Sequence, residues 1–388
     1  MSVTWARGFV ANGAAAGIKP GGLADLALVA AVSGAVPAAA TFTTNKSCAA
    51  PVVVSRAHLA ATGGRAAAVV LNSGCANAAT GAAGLVAAER MAAAVAAPLG
   101  AGVEEVLVCS TGLIGFALPI ETIEAAAPAL VGGRGRSPDH ATAAATAILT
   151  TDTHPKQVTR DGGTFRVGGM AKGAGMIAPN MATMLAVITT DAQASPEVLS
   201  AALGRAVEGT FNSLIVDGCT STNDTVIVLA SGEAGAPSPA ELTATLADVC
   251  ADLAYQLAAD AEGATRVAEI RVAGAASDAD ARLAARAVAG SLLVKVSLFG
   301  ADPYWGRIVS ELGASGAAFD PDRVRVAYGA TTVVEAGVGV AHDAAAAVAH
   351  LRGSDVEISC DLGLGSGTAS VLTTDLGHAY IDENMRTS

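Results

Sequence analysis

The stretch Gly168-Gly169-Met170-Ala171-Lys172-Gly173-Ala174-Gly175-Met176-Ile177-Ala178-Pro179-Asn180-Met181-Ala182-Thr183-Met184-Leu185 is the most unusual in this chain. Its four glycines and one proline allow tight, uncommon backbone conformations. It then enters an apolar, β-branched segment, 184–189, that reads as a strand, and Thr183 stands immediately before it. A bend there would let the Thr183 hydroxyl attack the Ala182 carbonyl, giving an ester that water hydrolyses. The product carries a hydroxyl and a free α-amine on one residue. A threonine hydroxyl is a poor nucleophile until a base takes its proton, and an N-terminal amine can do so. With a pKa of ~7.7 to 8.0 against ~10.4 for lysine, that amine is partly unprotonated near neutrality. From spacing alone Thr183 also reads as an ordinary strand threonine, and the residues by themselves leave both readings open.

Outward from this stretch, short apolar runs alternate with alanine-rich segments of helical period, which points to mixed α/β architecture. Segments 67–71 and 106–108 read as strands around a helix at 83–97, and each strand ends in a turn, Asn72-Ser73-Gly74 and Ser110-Thr111-Gly112. Ser195 before Pro196, and Ser238 before Pro239 with Glu241 completing a capping box, mark helix starts. Further helices are expected after Asp302-Pro303 and over 343–351. Further strands are expected at 225–229, 268–272, 323–327, 356–360 and 369–373. The uncharged stretch 26–45 is broken by Ser33, Gly34 and Pro37, so it predicts two strands and a turn rather than a membrane span. Residues 132–139 read as a flexible surface insertion. No long linker separates domains, so two closely packed lobes are expected.

Hydrophobic residues make up 52% of the 388 and aromatics only 3%, so the interior must be built from Ala, Val and Leu. The net charge of -12 argues against nucleic acid or anionic membrane as partners. The charge is uneven: residues 1–182 hold 12 basic and 9 acidic side chains, and 183–388 hold 11 and 26. Six scattered cysteines without zinc spacing predict free thiols, no metal, and a reducing cytoplasm. No cleaved secretory signal is expected.

Common catalytic signatures are missing: no Gly-x-Ser-x-Gly, no His-Glu-x-x-His, no phosphate loop and no Gly-x-Gly-x-x-Gly. The six histidines lack partners at ligand or triad spacing and read as surface or loop residues.

The 168–185 stretch resembles the cleavage and nucleophile motif of the ornithine acetyltransferases (glutamate N-acetyltransferases) of arginine biosynthesis. So do Phe42-Thr43-Thr44-Asn45-Lys46, Asn72-Ser73-Gly74, Cys109-Ser110-Thr111-Gly112-Leu113-Ile114-Gly115, Thr150-Thr151-Asp152-Thr153 and Ser221-Thr222-Asn223-Asp224. Asp260-Ala261-Glu262-Gly263-Ala264-Thr265, Phe299-Gly300-Ala301-Asp302-Pro303 and Trp305-Gly306-Arg307 extend the likeness along nearly the whole chain. The resemblance implies an α/β fold, a layered αββα-type sandwich in which two sheets pack face to face between helical layers. It implies self-cleavage between Ala182 and Thr183 into an N-terminal chain, 1–182, and a C-terminal chain, 183–388, that starts with the nucleophile. Thr183 would accept acetyl from N2-acetyl-L-ornithine and pass it to L-glutamate, with no cofactor. Thr111 and Gly112 would form the oxyanion hole, and Thr150, Lys172, Thr183, Glu262, Asn384 and Ser388 would bind substrate. Two copies of each chain are implied. The resemblance leaves open whether acetyl-CoA serves as a second donor. A self-processed aminopeptidase or amidase of the same fold is the alternative reading. The sequence departs from the family pattern at Cys75, Cys219 and Tyr304, and its tail is one residue short, which leaves Thr387 and Ser388 as rivals for the last position.

Overall fold

The computed structural model describes residues 2–178 and 184–385. Among these the strands form three sheets. The first has the order β1 (Phe9–Ala14), β2 (Leu26–Ala31), β5 (Ala68–Asn72), β6 (Val106–Ser110). The second runs β4 (Arg65–Ala66), β3 (Val36–Phe42), β11 (Thr225–Ala230), β9 (Leu185–Thr190), β8 (Arg166–Lys172), β7 (Lys156–Asp161).

These two sheets face each other. Val29, Val69, Leu71 and Leu107 of the first meet Met170, Val187, Ile227 and Leu229 of the second, with helix α4 (Pro138–Ala147) closing one side. The outer face of the first sheet is covered by α1 (Ala50–Ala61), α2 (Gly81–Leu99) and α3 (Ile120–Gly132). That of the second is covered by α5 (Pro196–Glu208) and α6 (Pro239–Ala259). The result is the expected αββα layering. Strands with both faces covered must be apolar throughout, and β2, β9 and β11 are buried at every residue. Helix α2 is long and apolar enough to cross a membrane. Its inner stripe, Ala88, Met91, Ala92 and Val95, instead packs in the core beneath the first sheet.

A third sheet corrects the two-sheet expectation. Its order is β10 (Leu214–Ile215), β17 (Gly367–Thr374), β12 (Val267–Ala275), β16 (Asp355–Asp361), β13 (Arg325–Tyr328), β14 (Thr331–Glu335), β15 (Val338–Gly339). Helices α7 (Asp278–Gly290), α8 (Leu292–Gly300), α9 (Gly306–Ala314) and α10 (Ala344–Leu351) contribute to its core. This sheet forms a second lobe, joined to the sandwich where Leu214 and Leu372 pack against the core below α5 and α6.

Other expectations change in detail. The strands read within 26–45 exist, but β2 and β3 do not pair, because the turn carries the chain from one sheet to the other. Segment 132–139 is no flexible insertion: Gly135 exchanges two backbone hydrogen bonds with Ala11, which pins it to β1. His58 is not a surface residue but is buried, with Nδ1 2.9 Å from the Val106 carbonyl and Nε2 3.1 Å from Glu89. Strand β8 was hidden by its glycines. A Cβ on Gly168 would come within 1.9 Å of the Ser2 carbonyl oxygen, so the strand needs glycine where the N-terminal segment crosses it.

Candidate active site

Strands β8 and β9 are antiparallel neighbours, with Lys172 opposite Leu185. Residues 173–184 therefore connect the ends of one strand pair in sequence. The first half of this connection is held tightly. Asp217 accepts the backbone N–H of Met176 at 2.6 Å and of Ile177 at 3.0 Å, and Val216 N–H donates to the Ile177 carbonyl. Met176 takes a positive φ of 56° there. Thr183, Ala182 and Ser388 lie outside the described residues, as does Thr387.

A cavity of about 460 Å³ opens beside this connection, and Thr111, Gly112, Thr150, Lys172, Glu262 and Asn384 all line it. They come from distant parts of the chain: the turn after β6, the loop after α4, the end of β8, the loop after α6, and the final helix α11 (His378–Asn384).

The turn after β6 is rigid. Gly112 has φ 127°, and a Cβ on it would lie 2.4 Å from the Gly74 carbonyl carbon, so only glycine fits. Thr111 N–H donates to the Asn72 carbonyl at 3.0 Å, while Cys75 bridges to Thr111 and Leu113. Cys75, one of the departures noted in the sequence, thus sits behind the Thr111-Gly112 turn. Because its amide is occupied, Thr111 can offer only its hydroxyl to the cavity. That hydroxyl accepts from Lys172 Nζ at 3.3 Å, which leaves its hydrogen free to donate.

Lys172 is buried, and its Nζ donates to Thr150 Oγ1 at 2.7 Å and lies 3.7 Å from Asp152 Oδ2. Burial lowers its pKa, against the pull of the Asp152 carboxylate. Asp152 accepts Gly173 N–H and Lys156 Nζ, both at 2.6 Å, and Thr150 N–H at 3.0 Å. Burial alone would raise the Asp152 pKa, yet the ammonium groups of Lys172 and Lys156 hold it well below the carboxylate range. Lys156 also pairs with Asp260, which accepts from Thr153 as well. Glu262, also in the lining, accepts from Thr151 Oγ1 at 2.7 Å and Asn384 Nδ2 at 2.9 Å. The cavity therefore offers a buried cation, a carboxylate, and two candidate donors, the Thr111 hydroxyl and Gly112 N–H, at its turn. No cluster of His, Cys, Asp or Glu suited to a metal occurs among the described residues.

The model of the ArgJ family matches residues 10–387. The chain belongs to the ArgJ family. It is 49% identical over 395 residues to the arginine biosynthesis bifunctional protein ArgJ of Mycolicibacterium paratuberculosis, covering 99% of this chain and 96% of that one. It is 48% identical over 385 residues to the protein of the same name from Thermobifida fusca, covering 99% of each. Among solved structures, the ornithine acetyltransferase of Mycobacterium tuberculosis, complexed with ornithine, is 46% identical over 46% of this chain and 94% of that one, with a TM-score of 0.44.

Several residues of this ArgJ-family chain that shape the site carried no role in the sequence reading. Asp152, Lys156 and Asp260 form the buried charge network, and Asp217 holds the connection. Asn223 donates to the Ala76 and Ser110 carbonyls at 2.6 and 2.9 Å, and so ties the Ser221–Asp224 loop to the turn after β6. The signal for the network was a lysine four residues from an aspartate in a segment leading into a strand. The links of Asp260 and Asn223 join residues more than 100 positions apart, and those of Asp217 join residues about 40 apart.

Proposed function

We propose that this chain is a self-cleaving acetyltransferase that moves acetyl from N2-acetyl-L-ornithine to L-glutamate through an acetyl-Thr183 ester, and that acetyl-CoA is a second donor, as the word bifunctional in its relatives' name suggests. One observation carries the reading: Thr111, Gly112, Thr150, Lys172, Glu262 and Asn384 line one cavity beside the connection that contains Thr183. Cleavage at Ala182-Thr183 would give chains of residues 1–182 and 183–388. They would stay joined, because β8 and β9 pair from Val167–Thr190 to Lys172–Leu185 and the cut falls between these strands. Two copies of each chain and a cytoplasmic location complete the proposal.

The Thr183 hydroxyl, deprotonated by its own α-amine, attacks the acetyl carbonyl. Negative charge develops on the carbonyl oxygen, where the Thr111 hydroxyl and Gly112 N–H stabilise it. Lys172 attracts a substrate carboxylate and Glu262 a substrate ammonium. Ornithine leaves, and glutamate takes the acetyl group with its own amine. Ser388, or Thr387 in its place, would complete the substrate-binding set. The experiment that tests this reading combines a denaturing gel and intact mass, to find fragments meeting at residues 182 and 183, with assays of glutamate acetylation using each donor alone. An active preparation that stays in one piece would overturn it.

Two variants probe the roles separately. Thr111→Ala should leave the chain cleaved and lower kcat by about 10²- to 10³-fold, the usual worth of one oxyanion donor. Thr111→Ser, which keeps the hydroxyl, should recover most of the rate. Glu262→Gln should raise the KM for N2-acetyl-L-ornithine by about 10- to 100-fold, the worth of a charged hydrogen bond, with a smaller change in kcat. Steady-state kinetics with both substrates varied checks each.

A further inference from the structure

Asp224 is a buried acid that the transfer reaction above does not use. It stands just before β11 as Met184 stands just before β9, and these strands run parallel with Thr225 opposite Leu185. Asp224 is fully buried, and its Oδ1 accepts the Met184 N–H at 3.1 Å. Its Oδ2 is also buried and has no hydrogen-bond partner among the described residues. The main chain fixes the residue, since Thr43 N–H donates to the Asp224 carbonyl at 2.9 Å. Burial pushes its carboxyl well above the ordinary range, against the Met184 N–H, the nearby Ser221 hydroxyl and the Lys172 ammonium. A buried carboxyl with one oxygen satisfied by an N–H and the other without a partner among the described residues favours its protonated form. The nitrogen it already touches belongs to Met184, and covalent geometry keeps the nitrogen of the preceding residue within about 4 Å of that atom.

We propose that Asp224 is the proton donor of self-cleavage, protonating the Thr183 nitrogen as the Ala182-Thr183 bond breaks. This rests on the reading of Thr183 given above. In the first step the Thr183 oxygen bonds to the Ala182 carbonyl carbon and the C–N bond breaks. The Asp224 proton goes to the nitrogen, which can leave only as an amine, and the hydroxyl proton returns to the Asp224 carboxylate. In the second step water adds to the ester carbonyl and the C–O bond breaks. The Thr183 hydroxyl is restored, and the new Ala182 carboxyl passes its proton to the α-amine.

The test follows chain cleavage from synthesis in a cell-free reaction, with folding checked by thermal melting. Asp224→Asn keeps the shape and an acceptor for Met184 N–H but has no proton to give at neutral pH. It should fold and cleave about 10²- to 10⁴-fold more slowly, the usual worth of a general acid. Hydroxylamine, which splits esters and spares amides, should release no fragments from it, because the block precedes the ester. Fragment release by hydroxylamine, or cleavage at the wild-type rate, overturns the role of Asp224. If Asp224→Asn does not fold, Asp224→Glu and Asp224→Gln decide between an acid and an amide of one size. Faster cleavage of the glutamate variant supports the proposal, and equal rates, zero included, overturn it. A wild-type chain that never cleaves, or a Thr183→Ala chain that does, would instead remove the reading of Thr183.

Discussion

Thr183→Ala yields a folded, uncut chain whose acetyl transfer falls by at least ~10⁴-fold, the scale seen when a catalytic nucleophile is removed. The loss is double, because the hydroxyl that attacks the Ala182 carbonyl is the one that later carries the acetyl group. Without the cut no free α-amine exists to serve as base. Folding should survive, because the strand beyond residue 183 is anchored independently of the threonine side chain. Met184 N–H is bound by Asp224, the Met184 carbonyl accepts Thr225 N–H, and β9 lies inside the second sheet between β11 and β8. A melting midpoint within a few degrees of wild type, one band on a denaturing gel and an intact mass of the whole chain are the expected results. Thr183→Ser, which retains a hydroxyl and gains an amine on cleavage, should cut and turn over. Near-normal transfer by Thr183→Ala would mean that another group is the nucleophile.

The sequence showed the sandwich more clearly than the second lobe, for a physical reason. Strands covered on both faces are continuous apolar runs, and 26–31, 185–190 and 225–230 could be read as such. The third sheet is covered on one face. Its β16, Asp355-Val356-Glu357-Ile358-Ser359-Cys360-Asp361, alternates exposed or half-buried with buried residues. That alternation could have separated it from the sandwich strands. Strand β8 went unread because Gly168 and Gly169 answer to neighbours far away in sequence, Ser2 on one side and Val249 and Leu253 of α6 on the other. The site divides similarly. Thr111, Gly112, Thr150, Lys172, Glu262 and Asn384 were named by resemblance, and the fold gathers them. The acids that hold them in place were not, because a buried carboxylate is recognised by its partners, and those partners meet only in three dimensions.

Asp152→Asn should be the most destabilising single change at the site, lowering unfolding free energy by about 3 to 5 kcal/mol, the range for breaking a buried ion pair from one side. The cluster balances two ammonium groups, Lys156 and Lys172, against two carboxylates, Asp152 and Asp260, with all four side chains buried. Asparagine removes one negative charge. Its amide must also turn a donor toward groups that are all donors, namely Gly173 N–H, Thr150 N–H and Lys156 Nζ. Burial already lowers the Lys172 pKa, so the simplest relief is for Lys172 to lose its proton, and the cavity then loses its cation. Transfer should therefore fall with stability, and chiefly through a higher KM for the substrate whose carboxylate Lys172 attracts. Acid separates this account from a general packing defect. The folded-state pKa of Asp152 is held below its unfolded value of about 3.9. Its contribution is thus complete above that value and is lost as pH falls through the unfolded value toward the lower folded one. Urea unfolding of both proteins from pH 7 downward should show a constant difference above about pH 5 that narrows below about pH 4. A difference that does not change with pH would mean that the asparagine destabilises by shape, and that the charge of Asp152 does not hold the two lysines in place.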